Sequence, residues 1–193
     1  MSIHLILGGA RSGKSSFAEK LAKQNEANLN AQVFYLATAQ SLDKEMSARI
    51  EQHQQQRPEH WGLIESPINL GAAIEHLIFT HQSEHESSMT ILVDCLTLWL
   101  SNCLCSAKKN SWQQEKQLFL NVLSTLSTSN KVNLLLVSNE VGHGIVPMGE
   151  LSRNFVDQAG WLHQDIAAIA TDVDFIMAGI ALSLKSKSLK LMQ

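Results

Sequence analysis

Cysteine is scarce in this sequence: three residues in 193, Cys95, Cys103 and Cys105. So small and odd a number excludes a disulfide framework and fits reduced thiols in a cytoplasmic protein. Cys103-x-Cys105 has no second pair at zinc-ligand spacing, so these thiols are expected to be buried rather than bound to a metal. Positive charge is also sparse. Fifteen Lys and Arg against 18 Asp and Glu leave a net charge of −3, with no broad basic footprint for nucleic acid. No uninterrupted apolar run approaches about 18 residues, and no basic stretch precedes an apolar core at the N-terminus. Neither a membrane span nor a targeting leader is expected. No internal repeat is visible, which sets solenoids aside.

What is present is enough apolar content, 45%, for one sizeable core, and a single domain over 1–193 is the default. Strand-like runs fall at Ile3–Leu7, Val33–Ala37, Leu63–Ile64, Ile91–Val93, Leu134–Val137 and Phe175–Ala178. Several are continuous apolar blocks, as in a parallel sheet covered on both faces. Helical stripes alternate with them: Phe17 and Leu21; Leu42, Met46 and Ile50; Leu70, Ile74, Leu77 and Ile78; Leu118, Val122 and Leu126; and Leu151, Phe155, Leu162, Ile166 and Ile169. The pattern predicts an α/β fold. The polar stretches 81–88 ("HQSEHESS") and 106–111 ("SAKKNS") read as surface loops, with His81 and His85 solvated. The basic run 185–190 reads as a solvated end. Trp61, Trp99, Trp112 and Trp161 read as core or interface anchors, and Trp61 is also a candidate lining of a nucleotide site.

Chemistry enters at residues 8–15, "GGARSGKS". Gly8-x-x-x-x-Gly13-Lys14-Ser15 has phosphate-loop spacing and lies between a strand and a helix. Glycines let successive backbone N–H groups turn inward onto phosphate oxygens, and the helix adds its positive N-terminal end. In this arrangement Lys14 reaches the β- and γ-phosphates and the Ser15 hydroxyl ligates magnesium. Asp94 closes the apolar run of "TILVDC", where a carboxylate helps hold that metal. A strand-ending Asp alone is as often a helix cap, but beside a phosphate loop it reads as the metal partner. Glu140 ends another strand and is a second polar group at the same sheet edge. His143, between two glycines, reads as a mobile-loop residue, with a substrate contact as the alternative.

The class of phosphate-loop protein is narrowed by two absences. No guanine-reading Asn-Lys-x-Asp follows a strand, since "NKVN" at 130–133 precedes one and lacks the Asp. No transporter ATPase signature is present either. A third feature is positive evidence: Arg49, His53 and Arg57 are spaced four apart and share one helical face, which Pro58 ends. Two guanidiniums around an imidazole suit a phosphate ester. The same spacing also describes a solvated helix face with a surface histidine.

Together, "GGARSGKS", "RIEQHQQQRPEHW" and "NEVGHGIVP" (139–147) closely resemble the bifunctional adenosylcobinamide kinase / adenosylcobinamide-phosphate guanylyltransferase family of cobalamin biosynthesis. The resemblance spans essentially the whole chain. It implies a RecA-like phosphate-loop NTPase fold with a mostly parallel sheet, a homotrimer, Mg²⁺, GTP and ATP as substrates, and a corrinoid as the other substrate. It implies two reactions: phosphorylation of the hydroxyl on the aminopropanol arm of adenosylcobinamide, then transfer of GMP from GTP through a histidine–GMP intermediate. His53 matches the family's histidine. Gly8, Gly9, Ala10, Arg11, Ser12, Gly13, Lys14 and Ser15 match its triphosphate cradle. Ala37, Thr38, Ala39, Gln54, Gln55, Gln56, Arg57, Glu65 and Asp94 fall where it contacts GTP. Val156 and His163 depart from the arginine and asparagine common in the family, which puts the contacts of those two side chains in doubt. A single-activity small-molecule kinase with His53 idle and a nucleotide-binding regulatory module are the alternatives.

Overall fold

The computed structural model describes residues 2–40, 44, 47, 50–51, 57–84, 87–106, 111–126 and 131–186. Its elements are β1 (Ser2–Gly8), α1 (Lys14–Leu29), β2 (Gln32–Ala37), β3 (Gly62–Glu65), α2 (Leu70–Glu84), β4 (Met89–Asp94), α3 (Leu96–Cys105), α4 (Ser111–Leu126), β5 (Val132–Asn139), α5 (Glu150–Ile169), β6 (Asp172–Met177) and β7 (Ile180–Lys185). The strands form one sheet in the order β3-β2-β4-β5-β1-β6-β7. All neighbours are parallel except β6 and β7.

The apolar blocks are continuous because the central strands are covered on both faces. On one face Leu5, Ile91, Val93, Leu134 and Leu136 pack with Trp99, Phe119, Leu162 and Ile166 from the helices. On the other, Ile6, Val33, Tyr35, Leu92 and Leu135 meet Ala18 and Ala22 of α1 and the Trp61 ring. Trp99 centres the larger cluster, with the Trp112 and Phe119 rings each 5.1 Å away, and its indole N–H donates to Ile68 O at 2.6 Å. Truncating a buried ring of this size typically costs about 3–5 kcal/mol.

Several expectations need correction. His81 is not solvated in a loop. It lies in the last turn of α2, buried, with its ring edge-on to Phe34 at 6.0 Å. The polar neighbours suggested a loop, but the helix runs on to Glu84 and turns this one side chain inward. His85 lies outside the described residues. Cys103 is buried, but Cys105 at the end of α3 is exposed. In α4 the buried stripe is Trp112, Phe119, Leu123 and Leu126, and Leu118 faces solvent. Leu151, in the first turn of α5, is exposed as well. Ala178 is not in a strand: with Gly179 it forms a two-residue turn at φ 53° and 78°. Both positive angles suit a tight hairpin, and Met177 pairs with Ile180 across it. The strand beyond, β7, was not foreseen. Lys185 is its last residue, and its ammonium donates to Ala167 O at 2.7 Å rather than being free in solution.

Candidate active site

Register fixes where the strands deliver their ends. Glu65, Ala37, Asp94 and Val137 are level across β3, β2, β4 and β5. One strand further, Gly8 is level with Asn139. Four of the positions singled out in the sequence therefore share one carboxyl edge, where open α/β sheets receive ligands.

At that edge β1 turns into the loop 9–13 and then α1. Arg11 takes φ 55° and Gly13 φ 95°. A Cβ on Gly8 would meet Ser12 Oγ at 2.5 Å and Ile176 O at 2.6 Å, so the sequence needs glycine for packing there and for a left-handed backbone at 13. Gly179 N donates to Ser12 O at 2.8 Å, so the hairpin turn braces the loop from outside. The first amides of α1 have no intrahelical partner and add the positive helix end. Lys14 is buried, its ammonium donating to Gly9 O at 3.2 Å. Buried Ser12 Oγ has no hydrogen-bond partner among the described residues. Ser15 is half-buried one residue into the helix, and Gly9 and Ala10 lie on the open side of the turn.

Asp94 sits differently. Its carboxylate draws the Tyr35 hydroxyl as a donor, and its Oδ2 is buried with no hydrogen-bond partner among the described residues. Burial, then the Asp94 and Glu19 charges, push the Tyr35 hydroxyl well above its ordinary range, so it stays a donor. An anionic oxygen buried without a donor is costly unless a cation completes it. The open Asp94 oxygen therefore fits a divalent ion. Thr38 is fully buried, and its hydroxyl both accepts from Cys95 N and donates to Cys95 O, each at 2.8 Å. Asn102 holds the carbonyls of Thr38 and Pro67 at 2.8 and 3.0 Å. Together these bonds lock the ends of β2 and β4. The Cys95 thiol is pushed up to about 11 by burial and then by Asp94, and Cys103 to about 12 by burial, which leaves both poor nucleophiles near neutrality.

Beyond β5, Glu140 N donates to Gly8 O at 3.0 Å, and Glu140 Oε1 accepts Gly142 N at 2.6 Å. His163 reaches this end from α5: Nε2 lies 2.7 Å from Ser138 Oγ and Nδ1 3.5 Å from Glu140 Oε2. Burial lowers the His163 pKa against the opposing pull of Glu140. So the histidine that departs from the family pattern is engaged beside the phosphate loop. Val156 lines an apolar cup of about 370 Å³ with Leu104, Val141, Pro147, Leu151 and Phe155. His143 is exposed, its ring 5.7 Å from Phe175.

Arg57 lies against β2, its Cζ 4.8 Å from the Tyr35 ring centroid. Ala39 is half-buried just past Thr38, and Glu65 is exposed. Arg49, His53, Gln54, Gln55 and Gln56 lie outside the described residues. Trp61 is buried, and its indole donates to Glu26 at 3.3 Å.

A family model described as cobinamide kinase / cobinamide phosphate guanyltransferase matches residues 4–184. The chain belongs to this family. It is 45% identical over 185 residues to the bifunctional adenosylcobalamin biosynthesis protein CobP of Pseudomonas aeruginosa, covering 96% of this chain and 98% of that one. It is 37% identical over 190 residues to CobU of Escherichia coli, also named a bifunctional adenosylcobalamin biosynthesis protein, covering 94% and 98%. Among solved structures, an ATPase domain aligns with a TM-score of 0.54 at 17% identity, covering 90% of this chain and 68% of that one, a likeness of fold. The chain is thus a bifunctional kinase and guanylyltransferase of the cobinamide family on a phosphate-loop NTPase fold. Among the described residues no helix is long and apolar enough to cross a membrane.

Sequence reading missed Tyr35, Asn102, Ser138 and Asn139. Asn139 donates to Thr97 Oγ1 at 2.9 Å, an available signal being its place at the end of an apolar strand. Tyr35 and Asn102 gave none, because their partners are distant in sequence.

Proposed function

We propose that the cobinamide-family activities run as two phosphorus displacements at this carboxyl edge, in one domain. In the first, the aminopropanol hydroxyl of adenosylcobinamide attacks the γ-phosphate of ATP or GTP, the bond to the β-phosphate breaks, ADP or GDP leaves, and the hydroxyl proton passes to solvent. The loop amides and Lys14 hold the phosphates and take up the charge that builds on them. In the second, His53 attacks the α-phosphate of GTP, pyrophosphate leaves, and the phosphate of adenosylcobinamide phosphate takes GMP from the histidine. A neutral imidazole is nucleophilic near pH 7, and its phosphoramidate remains reactive. Arg57 would hold phosphate oxygens, and Ala37, Thr38, Ala39, Gln54 to Gln56 and Glu65 are the positions that the family resemblance assigns to nucleotide contact. Magnesium on Ser15 and Asp94 supplies further neutralisation of phosphate charge when bound.

The observation that carries the reading is the phosphate cradle at Gly8–Ser15 on the same sheet edge as the unpartnered Asp94 Oδ2. The cytoplasm, where these nucleotides are supplied, is the proposed compartment. A homotrimer is proposed as the assembly. Closing a ring takes two different patches on each subunit, and the exposed apolar side chains of the described residues include two such groups. One is Ile180, Leu182 and Leu184 on β7, and the other is Ile145, Val146, Met148 and Leu151 ahead of and into α5.

The test is the intact mass of the protein after incubation with GTP and Mg²⁺. The wild type should gain one GMP unit, labile in acid and stable in alkali. His53→Ala should lose the adduct and guanylyl transfer while keeping much of the cobinamide phosphorylation. An undiminished adduct in His53→Ala places the nucleophile elsewhere, with His143 next to examine.

A further inference from the structure

Tyr35 touches both halves of the proposed chemistry without belonging to either motif. Its place on β2 follows from register. Tyr35 pairs with Leu92 and Ala37 with Asp94, so Tyr35 and Asp94 are diagonal neighbours on one face of adjacent strands. On that face the Tyr35 hydroxyl is directed as a donor at the Asp94 carboxylate, whose Oδ2 is buried with no hydrogen-bond partner among the described residues. The ring faces Arg57, whose guanidinium carbon is 4.8 Å from its centroid, within cation–π range. The side chain is buried among Ile6, Ala18, Trp61 and Leu92, so neither end can swing away without disturbing the core. A little further along the chain, His60 Nε2 and the Trp61 indole bind the two oxygens of Glu26 on α1, at 2.6 and 3.3 Å. Residues 57–61 are therefore fastened at two points, Tyr35 on β2 and Glu26 on α1.

We infer that Tyr35 is a positioning residue that sets the Asp94 carboxylate for the metal and seats Arg57 beside it. The inference rests on the proposed role of Asp94 in holding magnesium. Its hydroxyl and its ring have separable duties. Tyr35→Phe keeps the ring against Arg57 and removes the donor to Asp94. Tyr35→Leu removes both.

The experiment measures binding of a fluorescent GTP analogue to the full chain as Mg²⁺ is titrated, alongside both activities and the thermal midpoint. Tyr35→Phe should melt as a folded protein and raise the Mg²⁺ midpoint for nucleotide binding about tenfold, the size expected when a partner of a metal ligand is lost. Both activities should show the same shift. Tyr35→Leu should add a selective loss of guanylyl transfer over phosphorylation, because Arg57 loses its platform. In an Asp94→Asn background, Tyr35→Phe should change the Mg²⁺ midpoint no further, since the hydroxyl acts through that carboxylate. An unmoved midpoint in Tyr35→Phe, with Asp94→Asn clearly shifted, overturns the inference and leaves the metal reading intact. An additive effect in the double variant overturns it too. An unmoved midpoint in Asp94→Asn itself removes the metal reading, and the inference falls with it.

Discussion

The centre of the sheet and its β7 edge are built on opposite terms. Strands β1, β4 and β5 are parallel, covered on both faces, and nearly every side chain they carry is buried. Strand β7 is antiparallel, pairs with β6 alone among the described residues, and leaves Ile180, Leu182 and Leu184 at 72%, 62% and 57% exposure. The centre holds its shape by burial and can present Gly8, Asp94 and Asn139 at fixed heights. The edge offers unpaired backbone and a row of apolar side chains, features a lone subunit normally blunts with charge. The proposed chemistry thus falls where the fold is over-determined, and the proposed association where it is not.

The comparison is tested most severely at the centre. Lys14→Ala should lower both activities by about 10²–10³, since the loop amides cannot replace the buried ammonium during phosphoryl transfer. Its thermal midpoint should stay near that of the wild type, and near-normal rates in both assays would refute a shared cradle. The edge should behave in the reverse way. Leu182→Lys should alter the stability of the subunit by no more than about 0.5 kcal/mol, as expected of an exposed site. The same change should convert the proposed trimer to monomer in sedimentation. A trimer that survives the charge shows that the subunits meet elsewhere.

The smallest expected effect is one of pH at the end of β5. Burial holds the His163 pKa below its ordinary value of about 6.5. Above that value both folded and unfolded chains carry it neutral. As pH falls below it, the unfolded chain takes up a proton that the buried site refuses, so stability declines until the lower folded pKa is passed. His163→Asn keeps a polar partner for Ser138 and should cost about 1 kcal/mol at pH 7.5. Its disadvantage should shrink at pH 5.5, as read from urea midpoints. Parallel pH curves for the two proteins would remove His163 as the source of the acid slope.

What the sequence disclosed follows the same division. The central strands were legible because burial on both faces demands unbroken apolar runs, and the cradle was legible because its glycines and Lys14 are dictated locally. Strand β7 was not, because its exposed Ile180, Leu182 and Leu184 alternate with Ala181 and Ser183 beside a polar end, and no burial distinguishes them. His81 was misplaced because its neighbours in sequence are polar while its neighbour in space is Phe34. The clamp of Thr38 on Cys95 joins residues 57 apart, and the Arg57–Tyr35–Asp94 contact joins three segments. Such contacts are products of strand order, which periodicity does not encode. The roles assigned to His53 and Gln54 to Gln56 stand on sequence resemblance, since those residues lie outside the described ones.

The bond from Gly179 N to Ser12 O makes the β6–β7 turn part of the phosphate loop's wall. The contact is close: a Cβ on Gly13 would lie 3.2 Å from Gly179 Cα. The loop and the turn before the edge strand are thus joined through main chain, so a shift of one strains the contact with the other. Thermodynamic reciprocity then binds their fates: to whatever extent nucleotide occupancy favours one posture of the hairpin, a neighbour gripping that hairpin favours nucleotide occupancy by the same factor.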